Sequence, residues 1–188
     1  MRLSDLMYSL ATGSKRRRAL LTPVGLVVFV SLLFLVVFGS LLTDRALGLP
    51  RLLPGALGWV VGVPLIAAGL MLWSWCILLF RGARGTPVPF NPPRELVVVG
   101  PYAWVRNPML TGVFACLFGL GFLLHSLSMV FVWMPVFVLF NAIELKLVEE
   151  PELERRFGDS YSEYRRRVPM FVPRAPGVSR KDGPPKKR

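Results

Sequence analysis

Residues 108–143 read PMLTGVFACLFGLGFLLHSLSMVFVWMPVFVLFNAI, a stretch without one Asp, Glu, Lys or Arg and with a single histidine, His125. About 20 apolar residues suffice for a helix to cross a bilayer, so this stretch is about twice as long as one span requires. Leu124-His125-Ser126, at its middle, is the natural place for a tight reversal between two helices. Working outward, residues 52–80 and 19–43 also carry no charge, and each is long enough to span. The expected fold is all-α, a polytopic membrane protein with about four transmembrane helices, the last two short and paired. With 53% hydrophobic residues and a formal charge of +12 over 188 residues, the chain does not have the composition of an ordinary soluble domain.

The distribution of Lys and Arg orients these spans, because loops on the cytoplasmic side are enriched in them. Five precede the first span, two lie in the next loop, four fall between residues 81 and 106, none lies at the 125 turn, and twelve follow from Lys146 onward. Alternate loops thus hold 21 against two, which places both termini and the 81–107 loop on the cytoplasmic side. Basic residues that flank apolar spans are topology signals, so no nucleic-acid partner is implied; the partners are membrane lipids and a lipophilic small molecule or lipid. The apolar run after Lys15-Arg-Arg-Arg18 is too long for a signal peptide and is read as retained. Cys76 and Cys116 fall within spans, where they act as small apolar residues, and no disulfide framework follows.

Four regions emerge. Residues 1–18 place Leu3, Leu6, Met7 and Leu10 at helical spacing, as in an interfacial segment. Residues 19–80 hold two transmembrane helices, residues 81–174 a core of proline-rich loop, transmembrane hairpin and interfacial helices, and residues 175–188 a basic tail. Within the core, Pro87, Pro89, Pro92 and Pro93 favour extended chain, and Leu96-Val-Val-Val99 is expected to pack down on the membrane face and aim the Gly100-Pro101 turn. Pro108 fits the first turn of the third span. Pro151 is expected to break the chain before a short helix that Gly158 ends, and Ser160-Tyr-Ser-Glu163 has the spacing of a capping box for another.

Two polar clusters border the apolar blocks: Gly100-Pro-Tyr-Ala-Trp-Val-Arg106-Asn107-Pro108-Met109-Leu-Thr-Gly112, and Glu149-Glu150 after the last block. An unpaired polar group there costs several kcal/mol, roughly, if it meets lipid. By themselves the two clusters fit helix-end snorkelling and capping groups as well as they fit a polar site. No metal-ligand spacing, phosphate loop or Ser-His-Asp pattern occurs, and His125 is placed at the external turn.

The order of these motifs is more specific than their charges. Gly-Pro-Tyr, then Arg-Asn-Pro-Met and Gly112, followed by Glu-Glu-Pro-Glu-Leu, Phe157-Gly158, Tyr161, Tyr164 and Arg167-Val-Pro169, resembles the isoprenylcysteine carboxyl methyltransferase and phospholipid methyltransferase superfamily over residues 82–174. The resemblance implies an integral membrane methyltransferase that uses S-adenosylmethionine, held by the cytoplasmic ends of the last spans and the C-terminal segment. Carried over by position, Leu96, Val97, Gly100, Tyr102, Asn107, Pro108, Met109, Leu110, Glu149 and Glu150 are the expected cofactor-binding residues. Arg106 and Arg167 are the expected catalytic ones, Arg106 for the methionyl carboxylate and Arg167 for an anionic acceptor head. No metal is required. The expected location is the plasma (inner) membrane of a prokaryote.

This chain departs from the family pattern at three positions. Asn107 stands where many members have His, Leu110 replaces the signature Tyr, and Leu145 stands where the prenylcysteine enzymes carry a substrate-binding Arg. The acceptor is therefore read only as isoprenoid or phospholipid-like. Two alternatives remain open: an NADPH-dependent enzyme like the membrane sterol reductases, which share a similar signature, and a non-enzymatic membrane protein that keeps the fold. The shortness of the chain and the Glu149-Glu150 pair favour the methyltransferase.

Overall fold

The computed structural model describes residues 15–53, 55–82 and 96–173. Most of the expected N-terminal interfacial segment, the prolines at 87–93 and the basic tail lie outside the described residues. Among the described residues every regular element is helical: α1 (Lys15–Leu47), α2 (Leu57–Gly82), a 3-10 turn (Gly100–Ala103), α3 (Pro108–Leu123), α4 (Met134–Glu144), α5 (Glu150–Phe157) and α6 (Asp159–Arg167). Helices Pro23–Leu47, Leu57–Leu79 and Met129–Phe157 are long and apolar enough to cross a membrane. The outward faces of these helices are aliphatic and aromatic, with Leu42, Met71 and Phe131 among their exposed residues, as a lipid contact requires. The molecule is an integral membrane protein of all-α fold.

About four spans were expected; three helices meet the length requirement, and the remaining apolar helix, α3, has 16 residues. At 1.5 Å per residue, such a helix reaches about 24 Å, short of the roughly 30 Å hydrocarbon layer. Its ends are fixed by chemistry. Pro108 occupies the first turn, where its missing N–H costs nothing, and the chain reverses at Leu124 and His125, with His125 at φ 53°. The expected reversal at residues 124–126 is therefore found, although His125 is partly buried and its Nδ1 has no hydrogen-bond partner.

Helix α3 is held against α2 by glycine. A Cβ placed on Gly69 would lie 2.5 Å from the Gly112 carbonyl oxygen and one on Gly112 would lie 2.7 Å from that of Gly69; Gly62 and Gly119 repeat the arrangement at 2.6 Å in both directions. The backbones meet with no side chain between them, as in membrane bundles, where close packing replaces the hydrophobic drive. On its other side α3 joins a core of Val36 from α1, Phe114 and Leu117 from α3, and Met129, Met134 and Phe137 from the last helix.

That last helix differs from expectation. It runs without interruption over residues 127–157, and Pro151 does not break it. The reason is a wide π turn, Leu145–Glu149, that ends two residues before Pro151; a second, Met129–Trp133, ends two residues before Pro135. A π turn shifts the carbonyl that a proline ring would strike and takes up the bond its missing N–H cannot make. The expected capping box is also not made. Helix α6 begins at Asp159 after Gly158, with no side-chain cap, and Glu163 instead pairs with Arg167 one turn on.

Helix α1 is tied to the start of the last helix by a polar clamp. Asp44 accepts hydrogen bonds from the Ser126 hydroxyl and, at 2.9 Å, from the Ser128 N–H, so a carboxylate from α1 serves the helix start that its own sequence leaves uncapped. The Ser128 hydroxyl donates to the Ser40 carbonyl at 2.9 Å, and Trp133 Nε1 donates to Thr43 Oγ1 at 3.2 Å.

The glycine contacts make a prediction. Gly69→Val pushes Cβ against the Gly112 carbonyl and Cys116 Sγ, 2.5 and 2.6 Å away, and is expected to destabilise the protein by about 1–3 kcal/mol or more. Thermal unfolding of the detergent-solubilised protein measures this, and an unchanged melting temperature means that α2 and α3 are not in backbone contact.

Candidate functional site

The site forms where α3 begins, because three segments distant in sequence meet there. Arg106 precedes the helix and its Nη1 lies 2.6 Å from Glu150 Oε1, with both side chains only 11% exposed. The same guanidinium nitrogen is 3.5 Å from the Tyr161 hydroxyl, while Arg106 Nε is buried without a partner. Arg165 lies 3.4 Å from the other Glu150 oxygen and 2.8 Å from Glu154, so Glu150 bridges two cations.

The backbone at this point is held from the C-terminal side. Arg106 N–H donates to the Pro169 carbonyl at 2.8 Å and Asn107 N–H to the Met170 carbonyl at 3.1 Å. The Thr111 hydroxyl donates to the carbonyls of Asn107 and Phe171, and the Phe171 ring meets Phe114 edge-on at 5.2 Å. An extended strap after α6 thus fixes the start of α3. It satisfies two donors that flank a helix N-terminus, where unpaired N–H groups otherwise remain.

Three tyrosines line the region. Tyr164 donates to the Tyr102 carbonyl at 2.7 Å, and the Tyr102 and Cys76 side chains are hydrogen-bonded. Burial raises the Tyr102 and Tyr164 hydroxyls well above the ordinary phenol range. Burial pushes Tyr161 up to about 12, with the Glu150 charge adding to the effect and Arg106 opposing it. A phenol whose folded pKa is raised contributes stability that is complete below its ordinary value near 10 and declines as pH rises toward the folded value. All three are therefore protonated hydrogen-bond groups at neutral pH.

The expected site residues fall into two groups. Arg106 and Glu150 are in direct contact, and Glu149 is close enough to act electrostatically on Arg106, Tyr102 and Tyr161. Asn107 occupies the N-cap position of α3, Pro108 is fully buried, Met109 is partly buried, and Leu110 packs against the core. Gly100, at φ 60°, takes the left-handed conformation glycine favours, and a Cβ there would lie 2.9 Å from Leu79. Leu96 and Val97 are partly buried, whereas Val98 and Val99 are exposed, so only half of that short segment packs down as expected.

Arg167 stands apart. It lies on the exposed end of α6, paired with Glu163, and among the described residues no contact joins it to Arg106, Glu149 or Glu150. With Leu96 it lines a separate open cleft of about 560 Å³. Sequence reasoning treated Tyr161 and Tyr164 as interfacial and missed that they face Arg106 and Tyr102. Their three-residue spacing on a helix that is otherwise charged was the available signal.

The geometry defines a helical membrane protein whose buried ion pair joins the start of one apolar helix to the end of the next. The phospholipid methyltransferase family matches residues 57–160, more than half of the chain, and the chain belongs to that family. Two curated proteins are similar to it. One, the nickel-cobalt-cadmium resistance protein NccN of Alcaligenes xylosoxydans xylosoxydans, is 30% identical over 115 residues, 61% of this chain and 48% of that protein. The other, the protein-S-isoprenylcysteine O-methyltransferase of Schizosaccharomyces pombe, is 35% identical over 86 residues, 46% of this chain and 36% of that protein. The chain thus spans less than half the length of these relatives. No solved structure gives a significant match.

Removing one member of a buried ion pair leaves the other charge without compensation, at about 3–5 kcal/mol. Arg106→Ala is expected near the lower end of that range, because Arg165 still approaches Glu150 at 3.4 Å. Denaturant unfolding in detergent tests this, and a loss under about 1 kcal/mol means that the pair behaves as a solvent-screened surface pair.

Proposed function

We propose that the protein is an S-adenosylmethionine-dependent methyltransferase acting on a lipophilic acceptor, isoprenoid or phospholipid-like, at the cytoplasmic face of the membrane. The observation that carries this reading is the family match over residues 57–160, which spans both Arg106 and Glu150. The charge bias of the loops, 21 basic residues against two, favours the cytoplasmic side for both termini and for the site. A plasma membrane of a prokaryote is the location proposed with it.

The residues present fit the cofactor. Its methionyl carboxylate needs a cation, and Arg106 has a buried Nε without a partner. Its ammonium and ribose hydroxyls need an acceptor, the role proposed for Glu149. Tyr102, partly buried and held at its hydroxyl by Cys76, offers an aromatic face to the adenine or the sulfonium. When bound, S-adenosylmethionine supplies a methyl group on a positively charged sulfur. The protein's part is then to exclude water and to align the acceptor's lone pair behind that methyl, which is positioning rather than covalent catalysis. Leu110 and Asn107, in place of the family's Tyr and His, leave that alignment to shape, with neither an imidazole nor a phenol to move a proton there.

Calorimetric titration of the detergent-purified protein with S-adenosylhomocysteine, and with NADPH in parallel, tests the reading. Binding of the first alone is expected. Binding of NADPH sinks it in favour of a reductase, and binding of neither favours a non-enzymatic protein. Glu149→Ala is expected to abolish S-adenosylhomocysteine binding while the melting temperature stays at the wild-type value; unchanged affinity refutes the assignment of Glu149.

A further inference from the structure

The cleft lined by Arg167 lies between the segment that follows the proline-rich loop and helix α6. One wall is apolar, with Leu96 and Val98, and Val168 closes the far end. The other wall is polar, with Ser160, Glu163 and Arg167 one helical turn apart in succession. At about 560 Å³ the cleft has the size of sites that take a small polar ligand, and it is too open to enclose an entire lipid.

Its surroundings give its depth. Val98, Val99 and Trp104 beside it are exposed, and Trp104 meets Trp75 of α2 edge-on at 5.6 Å. Exposed tryptophan and valine at the end of a spanning helix mark the boundary between lipid tails and head groups. On the other side α6 ends in Arg165, Arg166 and Arg167, all exposed. Arg165 is neutralised by Glu150 and Glu154, while Arg166 has no ion pair among the described residues. The cleft therefore has an apolar wall toward the tails and a net positive rim toward the head groups.

We propose that this cleft binds the phosphate of an anionic phospholipid, with Arg167 as the phosphate contact and Ser160 as a second donor. The lipid's glycerol end lies along Leu96 and Val98, and its binding seats α6 on the cytoplasmic head-group layer. The site is separate from the cofactor residues, so it does not rest on the methyltransferase reading. The Arg167–Glu163 pair is no obstacle. Both side chains are about half exposed, at 52% and 45%, and an exposed pair of this kind is worth about 0.3–0.5 kcal/mol. A guanidinium that meets a phosphate through two parallel N–H bonds gains more than that, and the phosphate carries the specificity that a general surface attraction lacks. Glu163 then remains to repel head groups of higher negative charge.

The test is binding of short-chain phosphatidylglycerol, below its micelle concentration, to the full-length protein in a neutral detergent. Phosphatidylcholine and inorganic phosphate are the comparison ligands. Saturable binding of phosphatidylglycerol, at least tenfold tighter than of either comparison ligand, is expected. Arg167→Ala should weaken it about tenfold or more, Arg167→Lys less, and Arg166→Ala less than twofold, with circular dichroism unchanged in each case. Three results overturn the proposal. Equal losses from Arg166→Ala and Arg167→Ala reduce the effect to surface charge, inorganic phosphate binding as well as the lipid makes the cleft a free-anion site, and absence of saturation removes the site.

Discussion

The cytoplasmic end of this molecule depends on one buried ion pair, Arg106 with Glu150 at 2.6 Å. Arg106 stands at the entrance to α3 and Glu150 near the exit of the last spanning helix, so the pair closes a hairpin whose other end is the turn at residues 124–125. The desolvation of two charges is seldom repaid by their attraction alone. Here Glu150 also meets Arg165 and Arg106 also meets Tyr161, and these additional contacts make burial tolerable. The same contacts draw α6 onto the hairpin. The strap at residues 169–171 then bonds to the backbone of Arg106 and Asn107, so the interfacial helices and the spans become one unit.

Close backbone packing supplies the rigid support for that pair. Glycine pairs 62/119 and 69/112 set α3 against α2 at backbone contact, which allows a 16-residue helix to remain within a bundle despite being too short to match the bilayer. The π turn at Leu145–Glu149 acts at the other side of the site. In an i→i+5 turn residues five apart approach one another, so Glu144 and Glu149 become charge neighbours, which an α-helix would keep on different faces. Leu145 and Val148 turn into the core in the same stretch, and Lys146 and Leu147 turn outward. The buried side chain at position 145 is thus a packing residue in this chain.

Much of the architecture was legible because lipid imposes strict rules. A long run without charge must be helical, a basic bias must orient it, and Pro108 can only open a helix, so the spans, the reversal near His125 and the gathering of Arg106 with Glu150 followed from pattern. The failures have a common cause. Pro151 was read as a break because a proline forbids an α-helical bond, and nothing in the local sequence announces a π turn that relieves it. Ser160 and Glu163 had capping-box spacing, but Glu163 found a better partner in Arg167, a competition that spacing cannot rank. Arg167 was grouped with Arg106 on motif order, whereas motif order says nothing of which side of α6 each arginine faces.

On the methyltransferase reading, the ion pair also has to allow exchange. Arg106 commits Nη1 to Glu150 while its Nε is buried and unpartnered, so the guanidinium holds a donor in reserve on a different edge. A ligand carboxylate that took this edge would weaken the hold on Glu150, but Glu150 keeps Arg165 at 3.4 Å and is not left as a bare buried charge. Tyr161, protonated because burial raises its hydroxyl, can follow either partner as donor or acceptor. The cost of ligand entry is then spread over a network with alternatives. That distinguishes this arrangement from a purely structural salt bridge, in which each charge has one partner and loses it at full desolvation cost.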